Sequence, residues 1–261
     1  MKINREKVEQ LVRTMKPLFT DSSRASQIKT KGACDYVTQV DIQVQKLIKE
    51  GLYQMYPQVQ FMGEEQDNTA IDRKGDFWIL DPVDGTTNLI HDFRHSTLSL
   101  AYAEEGTVEL GIVYQPYTDE MFVAVKGKGA FLNGEPIQVS EAKTLSKSLV
   151  TIGTSPYYHE LADWNFAVFK KVFLSCQDIR RLGSAALDMA YLASGRVDAF
   201  FEKILQPWDF AAAKLLIEEA GGKVTDFSGN DIPTGEPAEI LAGNGKINEE
   251  LLEIIRKDGD N

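Results

Sequence analysis

The sequence predicts a layered α/β protein. Apolar residues recur at helical spacing in two stretches near the start, a β-rich block follows, and the second half alternates short apolar strands with amphipathic helices. In the first stretch Ile3, Val8, Leu11, Val12, Met15, Leu18 and Phe19 share one helical face, and Ile42, Val44, Leu47, Ile48, Leu52 and Met55 repeat the pattern in the second. Between them, 27–33 carries Lys29, Lys31 and Gly32 and reads either as a solvated connector or as the rim of a cleft. Three β-rich segments (97–103, 108–114 and 121–125), closed by the Asn133-Gly134 hairpin signal, predict an antiparallel sheet within 96–139. Beyond it the pattern predicts a strand at 149–152, helices at 157–174 and 184–193, a strand at 197–201, a helix at 209–220 and a strand near Val224. With no repeat, low-complexity tract or long linker, one domain over 1–261 is expected, 1–145 giving helices plus the large sheet and 146–261 an α/β half.

A chain of 261 residues with 43% hydrophobic content can bury a substantial core. The formal net charge of −11 argues against a general affinity for nucleic acid or an anionic membrane. It would equally repel a phosphorylated small molecule unless cations reverse the local sign, so an acidic pocket here points to metal. Cys34 and Cys176 are isolated and read as packing residues in a reducing cytoplasm. The first six residues are charged and amphipathic, and no apolar run approaches the ~20 residues of a membrane span, so a soluble, cytoplasmic protein is expected.

Asp81-Pro82-Val83-Asp84-Gly85-Thr86-Thr87 follows the apolar run 77–80 and sets two carboxylates three residues apart where a buried strand would end. Two acidic side chains and an intervening carbonyl suit a hard divalent cation, and Gly-Thr-Thr can lead into a helix whose free amides attract an anion. Alone, the segment would favour an ordinary turn. A second acidic site, Gly63-Glu64-Glu65, and a third, Trp208-Asp209-Phe210, suggest a shared pocket.

Together with Asp35-Tyr36-Val37-Thr38-Gln39-Val40-Asp41, Gly127-Lys128-Gly129-Ala130-Phe131, Gly183-Ser184-Ala185-Ala186 and Glu219-Ala220-Gly221-Gly222, these motifs make nearly the whole chain resemble the inositol monophosphatase family, magnesium-dependent, lithium-sensitive phosphatases, in its bacterial type. The resemblance implies an α-β-α-β-α sandwich with an antiparallel N-terminal sheet and a smaller mixed C-terminal sheet, commonly a homodimer. It implies Mg2+, two or three ions per site with Mn2+ as a substitute, one held by Glu64, Asp81 and the Val83 carbonyl and another by Asp81, Asp84 and Asp209. Glu64, Thr86 and Asp41 are the implied catalytic residues. Gly85, Thr86, Thr87, Ser184, Ala185 and Glu202 are the implied substrate contacts.

Several of these residues have plainer readings. Asp209 could be a helix N-cap, as could Asp41, Thr86 and Ser184, and Glu65 could face water. Arg180 and Arg181 could meet a second phosphate or a dimer partner, but a surface ion pair is the baseline. His91, His95 and His159 lack a ligand or triad spacing, and Gly127-Lys128-Gly129 reads as a turn rather than a nucleotide loop. The expected activity is hydrolysis of a small phosphate monoester, inositol monophosphate first. The alternatives are the 2′-phosphate of NADP, fructose 1,6-bisphosphate and adenosine 3′,5′-bisphosphate; in another class, a non-catalytic binding or regulatory protein could use the same fold.

Overall fold

The computed structural model describes residues 3–21, 28–30 and 36–257. Gln27, Lys31, Gly32, Ala33, Cys34 and Asp35, singled out above, lie outside the described residues.

The first helical face is divided between α1 (Arg5–Arg13) and α2 (Lys16–Thr20). Pro17, in the first turn of α2, has no N–H to continue the ladder, so the predicted single helix breaks at Thr14–Met15. Its apolar face survives the break: Val8, Val12, Met15, Leu18 and Phe19 are buried in one cluster. A short antiparallel pair, β1 (Ile28–Thr30) and β2 (Tyr36–Thr38), leads into α3 (Gln39–Met55).

Next come β3 (Gln60–Gly63), β4 (Phe77–Asp84), the five-residue α4 (Thr86–Ile90), β5 (Thr97–Glu104), β6 (Thr107–Gln115), β7 (Glu120–Val125), β8 (Ala130–Leu132) and β9 (Glu135–Ile137). The seven strands form one sheet in chain order. From β4 to β9 every pairing is antiparallel, as expected for 96–139, and β3, outside that block, adds one edge strand parallel to β4. Asn133 and Gly134 both take positive φ, 50° and 89°, the conformation a tight hairpin between β8 and β9 requires.

The second half contains β10 (Leu149–Ile152), α5 (Ala162–Ser175), β11 (Asp178–Arg180), α6 (Ala185–Ala193), β12 (Ala199–Leu205), α7 (Pro207–Glu219), β13 (Lys223–Thr225), β14 (Ala238–Gly243) and α8 (Asn248–Arg256). Its sheet has the order β11-β10-β12-β14-β13, parallel on both sides of β10 and antiparallel on both sides of β14, hence mixed as expected.

Strand alternation builds the layers. On β4, Trp78 and Leu80 face α1 and α3, while Phe77 and Ile79 join the core around α6 and α7. On β12, Phe200 faces that same middle layer and Phe201 the outer layer of α5 and α8. The result is an α-β-α-β-α sandwich. The small residues of Ala211-Ala212-Ala213 let α7 lie so close to the large sheet that a Cβ on Gly111 would stand 2.4 Å from the Ala212 carbonyl oxygen. This close contact fixes the start of α7, and therefore Asp209, over the end of β4.

Candidate active site

A cavity of about 710 Å3 opens where the C-terminal end of β4 meets the N-terminal ends of α6 and α7. Its described lining carries seven carboxylates (Glu64, Glu65, Asp81, Asp84, Asp188, Glu202 and Asp209) and one cationic side chain, Arg181. The acidic groups on three separate segments thus reach one void.

β4 does not stop at Leu80. It continues to Asp84 through a register shift between Asp81 and Asp84, with Pro82 at the irregularity, and this bulge turns both carboxylates toward the cavity. Gly85 then reverses the chain at φ 91°; a Cβ there would stand 3.0 Å from the Gly183 carbonyl oxygen and 3.1 Å from that of His95. Glycine is needed for both conformation and space.

Glu64 follows β3, its backbone N–H donating to the Leu80 carbonyl at 3.2 Å, which brings it beside Asp81. Burial pushes the Asp81 carboxyl well above the usual range, and the charges of Glu64, Asp84 and Asp209 push the same way. Asp209 is likewise raised, by burial and then by Asp84 and Glu64. It is the third residue of α7, where Oδ2 accepts from the Gln206 N–H at 2.7 Å; Gln206, not Asp209, is the N-cap. Capping and cavity lining therefore coexist in one side chain.

Asp84 closes the N-terminus of α6. Oδ2 accepts from the Ser184 hydroxyl and the Ala186 N–H, each at 2.7 Å, and Oδ1 from the Ala185 N–H at 3.3 Å. Burial raises it to about 6 against these hydrogen bonds. Ser184 occupies the N-cap position but is 1% exposed, with its hydroxyl donated to Asp84. Ala185 and Thr87 line the cavity, Thr87 from the exposed side.

Asp41 also combines roles. It is the acid of the capping box of α3, Oδ2 accepting from the Thr38 N–H at 2.8 Å and the Thr38 hydroxyl at 2.5 Å. Its Oδ1 faces Thr86, whose Oγ1 stands 3.1 Å from it and 3.1 Å from the Val83 carbonyl. Asp41 is fully buried, and burial raises its carboxyl to about 6.

Glu202 lies inside β12 rather than at a strand end, across Gly153, where a Cβ would overlap its carboxylate. Its Oε1 accepts from the Ser155 N–H at 2.6 Å; burial raises it to about 7 despite that bond and nearby Arg181. Arg180 meets the surface-pair expectation by pairing with Asp178. Arg181 departs from it: the guanidinium lines the cavity and donates to Thr154 Oγ1 at 3.0 Å. None of the three histidines lines the cavity, and Gly127 and Gly129 form a turn whose N–H groups hold Glu219. Asp188 escaped the sequence reading, although a lone acid within the apolar run Ala185-Ala186-Leu187-Asp188-Met189-Ala190 was a visible signal.

Among the described residues, no group of three or more His, Cys, Asp or Glu side chains already stands in metal-holding geometry. The chemistry of the donor set nevertheless fits a divalent cation. Four carboxylates and the Val83 carbonyl offer hard oxygen ligands, and Asp81 and Asp209 are raised by burial and by neighbouring acids with no cationic side chain to offset them.

Fold and cavity define a layered α/β protein with a pocket lined by carboxylate and carbonyl oxygens. The chain belongs to the inositol monophosphatase family, whose model matches residues 3–259. It is similar to the Nus factor SuhB of Salmonella typhimurium, 40% identical over 238 residues covering 90% of this chain and 87% of the relative. Inositol-1-monophosphatase of Rhizobium meliloti is 39% identical over 232 residues, 88% of this chain and 86% of its own. A solved IMPase/NADP phosphatase complexed with Mg2+ and phosphate superposes with a TM-score of 0.85 at 27% identity, covering 94% of this chain and 92% of that one.

Proposed function

We propose that the protein is a Mg2+-dependent phosphomonoesterase whose preferred substrate is an inositol monophosphate, with Mn2+ able to substitute. The observation that carries this reading is the meeting of Glu64, Asp81, Asp84 and Asp209 in one cavity beside the Thr86–Asp41 pair. The relative named inositol-1-monophosphatase and the solved relative holding Mg2+ and phosphate support it. Glu64, Asp81 and the Val83 carbonyl would hold one ion, and Asp81, Asp84 and Asp209 another. Bound there, Mg2+ supplies neutralisation of the phosphate oxygens, acidification of water and stabilisation of the leaving alkoxide.

The chain's own residues supply orientation and proton handling. The Thr86 hydroxyl, 3.1 Å from Asp41 Oδ1 and from the Val83 carbonyl, would accept a hydrogen bond from the attacking water and, as it takes the water's proton, pass its own to Asp41 Oδ1. Asp41, raised to about 6, can take up that proton near neutral pH. Gly85 and Thr87 would contact the phosphate, while Glu202 and the Ser184–Ala185 wall would face the polyol. Ser184 acts chiefly by orienting Asp84.

The test is phosphate release with and without Mg2+ from inositol 1-phosphate, NADP, fructose 1,6-bisphosphate and adenosine 3′,5′-bisphosphate. Metal-dependent release, greatest from inositol 1-phosphate and inhibited by Li+, supports the reading; no release from any of them refutes it. The proposal includes a single domain over 1–261, a homodimer and a cytoplasmic location; no described helix is long and apolar enough to cross a membrane. A second reading, a binding function beside or instead of hydrolysis, is favoured by the name Nus factor borne by the SuhB relative. Specific capture of a macromolecular partner by an Asp84→Asn protein would support it, and capture of a nucleic acid would overturn the expectation that this chain has no affinity for one.

A further inference from the structure

Two carboxyls in the cavity, Glu65 and Asp188, have no part in the proposed hydrolysis, and of these Glu65 is half-buried whereas Asp188 is buried. Asp188 stands in the first turn of α6, 1% exposed and on the cavity lining. Its Oδ1 has no hydrogen-bond partner, and the charged groups that face it are Asp84, Glu202 and Arg181. An acid in a first helical turn stabilises a fold by facing solvent near the free amides or by accepting from one of them. Asp188 Oδ1 does neither. The rest of this turn, Ala185-Ala186-Leu187, is buried and apolar, so packing alone would be better served by a leucine at 188. A buried polar atom without a partner calls for an explanation, and here it stands beside a cavity large enough for a ligand that could supply one.

The surrounding groups indicate which ligand. Arg181 donates, whereas Glu202 and Asp188 can accept, so this wall alternates donors and acceptors. A second phosphate would meet three acids and one arginine. A ring bearing hydroxyls, each both donor and acceptor, satisfies the same wall without adding charge. We propose that Asp188 is a specificity-determining residue that accepts a hydrogen bond from a ring hydroxyl of a cyclic polyol phosphate, completing a reading wall with Arg181 and Glu202. This rests on the reading of the cavity as a phosphate-ester site.

The test compares myo-inositol 1-phosphate with cyclohexyl phosphate, which keeps the ring and lacks its hydroxyls. Phosphate release is measured in Mg2+, and equilibrium binding is measured separately by calorimetry in Ca2+. Asp188→Leu is expected to reduce the preference for the inositol ester about tenfold, through KM, with cyclohexyl phosphate unchanged within twofold. Asp188→Asn, which keeps an acceptor, is expected to retain most of the preference. Equal losses on both esters would show a merely structural role and overturn the proposal, as would an unchanged preference or a wild type with none. If Asp188→Leu does not fold, Asp188→Ala is judged by the same ratio. A protein that hydrolyses neither ester but binds the inositol ester preferentially, and loses that preference in Asp188→Leu, refutes the phosphatase reading and keeps this one; absence of preferential binding removes both.

Discussion

Replacing Thr86 by alanine separates a catalytic hydroxyl from a structural one. Thr86 Oγ1 has one proton and two acceptors at 3.1 Å, Asp41 Oδ1 and the Val83 carbonyl. Removing it leaves Asp41 anchored by the two Thr38 hydrogen bonds, so the fold should lose about 1 kcal/mol, the net worth of one such bond. For a chain of this size that lowers Tm by roughly 2–4 °C. A positioned proton acceptor contributes roughly 10²–10⁴ to rate, equivalent to about 3–5 kcal/mol of barrier. The account therefore expects kcat for inositol 1-phosphate in Mg2+ to fall at least a hundredfold with KM within a few-fold. Thr86→Ser should recover most of the loss, because a serine hydroxyl can occupy the same position. The assay is phosphate release over a substrate series, with a thermal melt of each variant. A Thr86→Ala protein with kcat within threefold of wild type would refute the assigned role, and a loss unrelieved by serine would point to packing instead.

Asp84→Asn should abolish measurable turnover while the chain stays folded, because an amide still accepts from Ala186 and Ser184 and lowers the like-charge density; turnover near wild type would contradict the metal assignment. Gly85→Ala should destabilise the turn by about 2 kcal/mol, since it forces a side chain to φ 91° against two carbonyls, and activity should fall with it; an unchanged melt would contradict the strain. In metal-free protein Asp41 and Asp84, raised to about 6, and Glu202, raised to about 7, bind protons more tightly folded than unfolded. Their contribution is full below about pH 4 and is lost as pH rises through 6–7, so these groups make the metal-free melting temperature fall over that window. Added Mg2+ should restore more stability at pH 8 than at pH 5, and equal restoration at both would contradict the linkage.

The sandwich was legible because its periodicities are strong: Phe77, Trp78, Ile79 and Leu80 must occupy two buried faces, and the N-terminal apolar stripe stays intact where Pro17 breaks the helix. Short strands were not. β11 and the parallel partner β3 have little pattern of their own and exist through pairing to neighbours. At the site, Asp81, Asp84 and Asp209 could be suspected from turn chemistry, but their convergence depends on a bulge at Pro82 and a helix packed on Gly111, both tertiary facts. The competing readings of Asp41 and Asp209 as capping residues proved compatible with a place at the cavity, because one carboxylate has two oxygens. Nothing local distinguishes Arg181 from Arg180; only the path of the chain after β11 sends one to Asp178 and leaves the other, exposed, at the rim of the cavity beside Thr154.

The central claim is tested most directly by diffraction from crystals soaked in Mn2+, recorded at the manganese absorption edge. The account predicts anomalous peaks within ligand distance of Glu64, Asp81, Asp84 and Asp209, lost or weakened in Asp84→Asn. A map with no manganese in this cavity at millimolar concentration would contradict it.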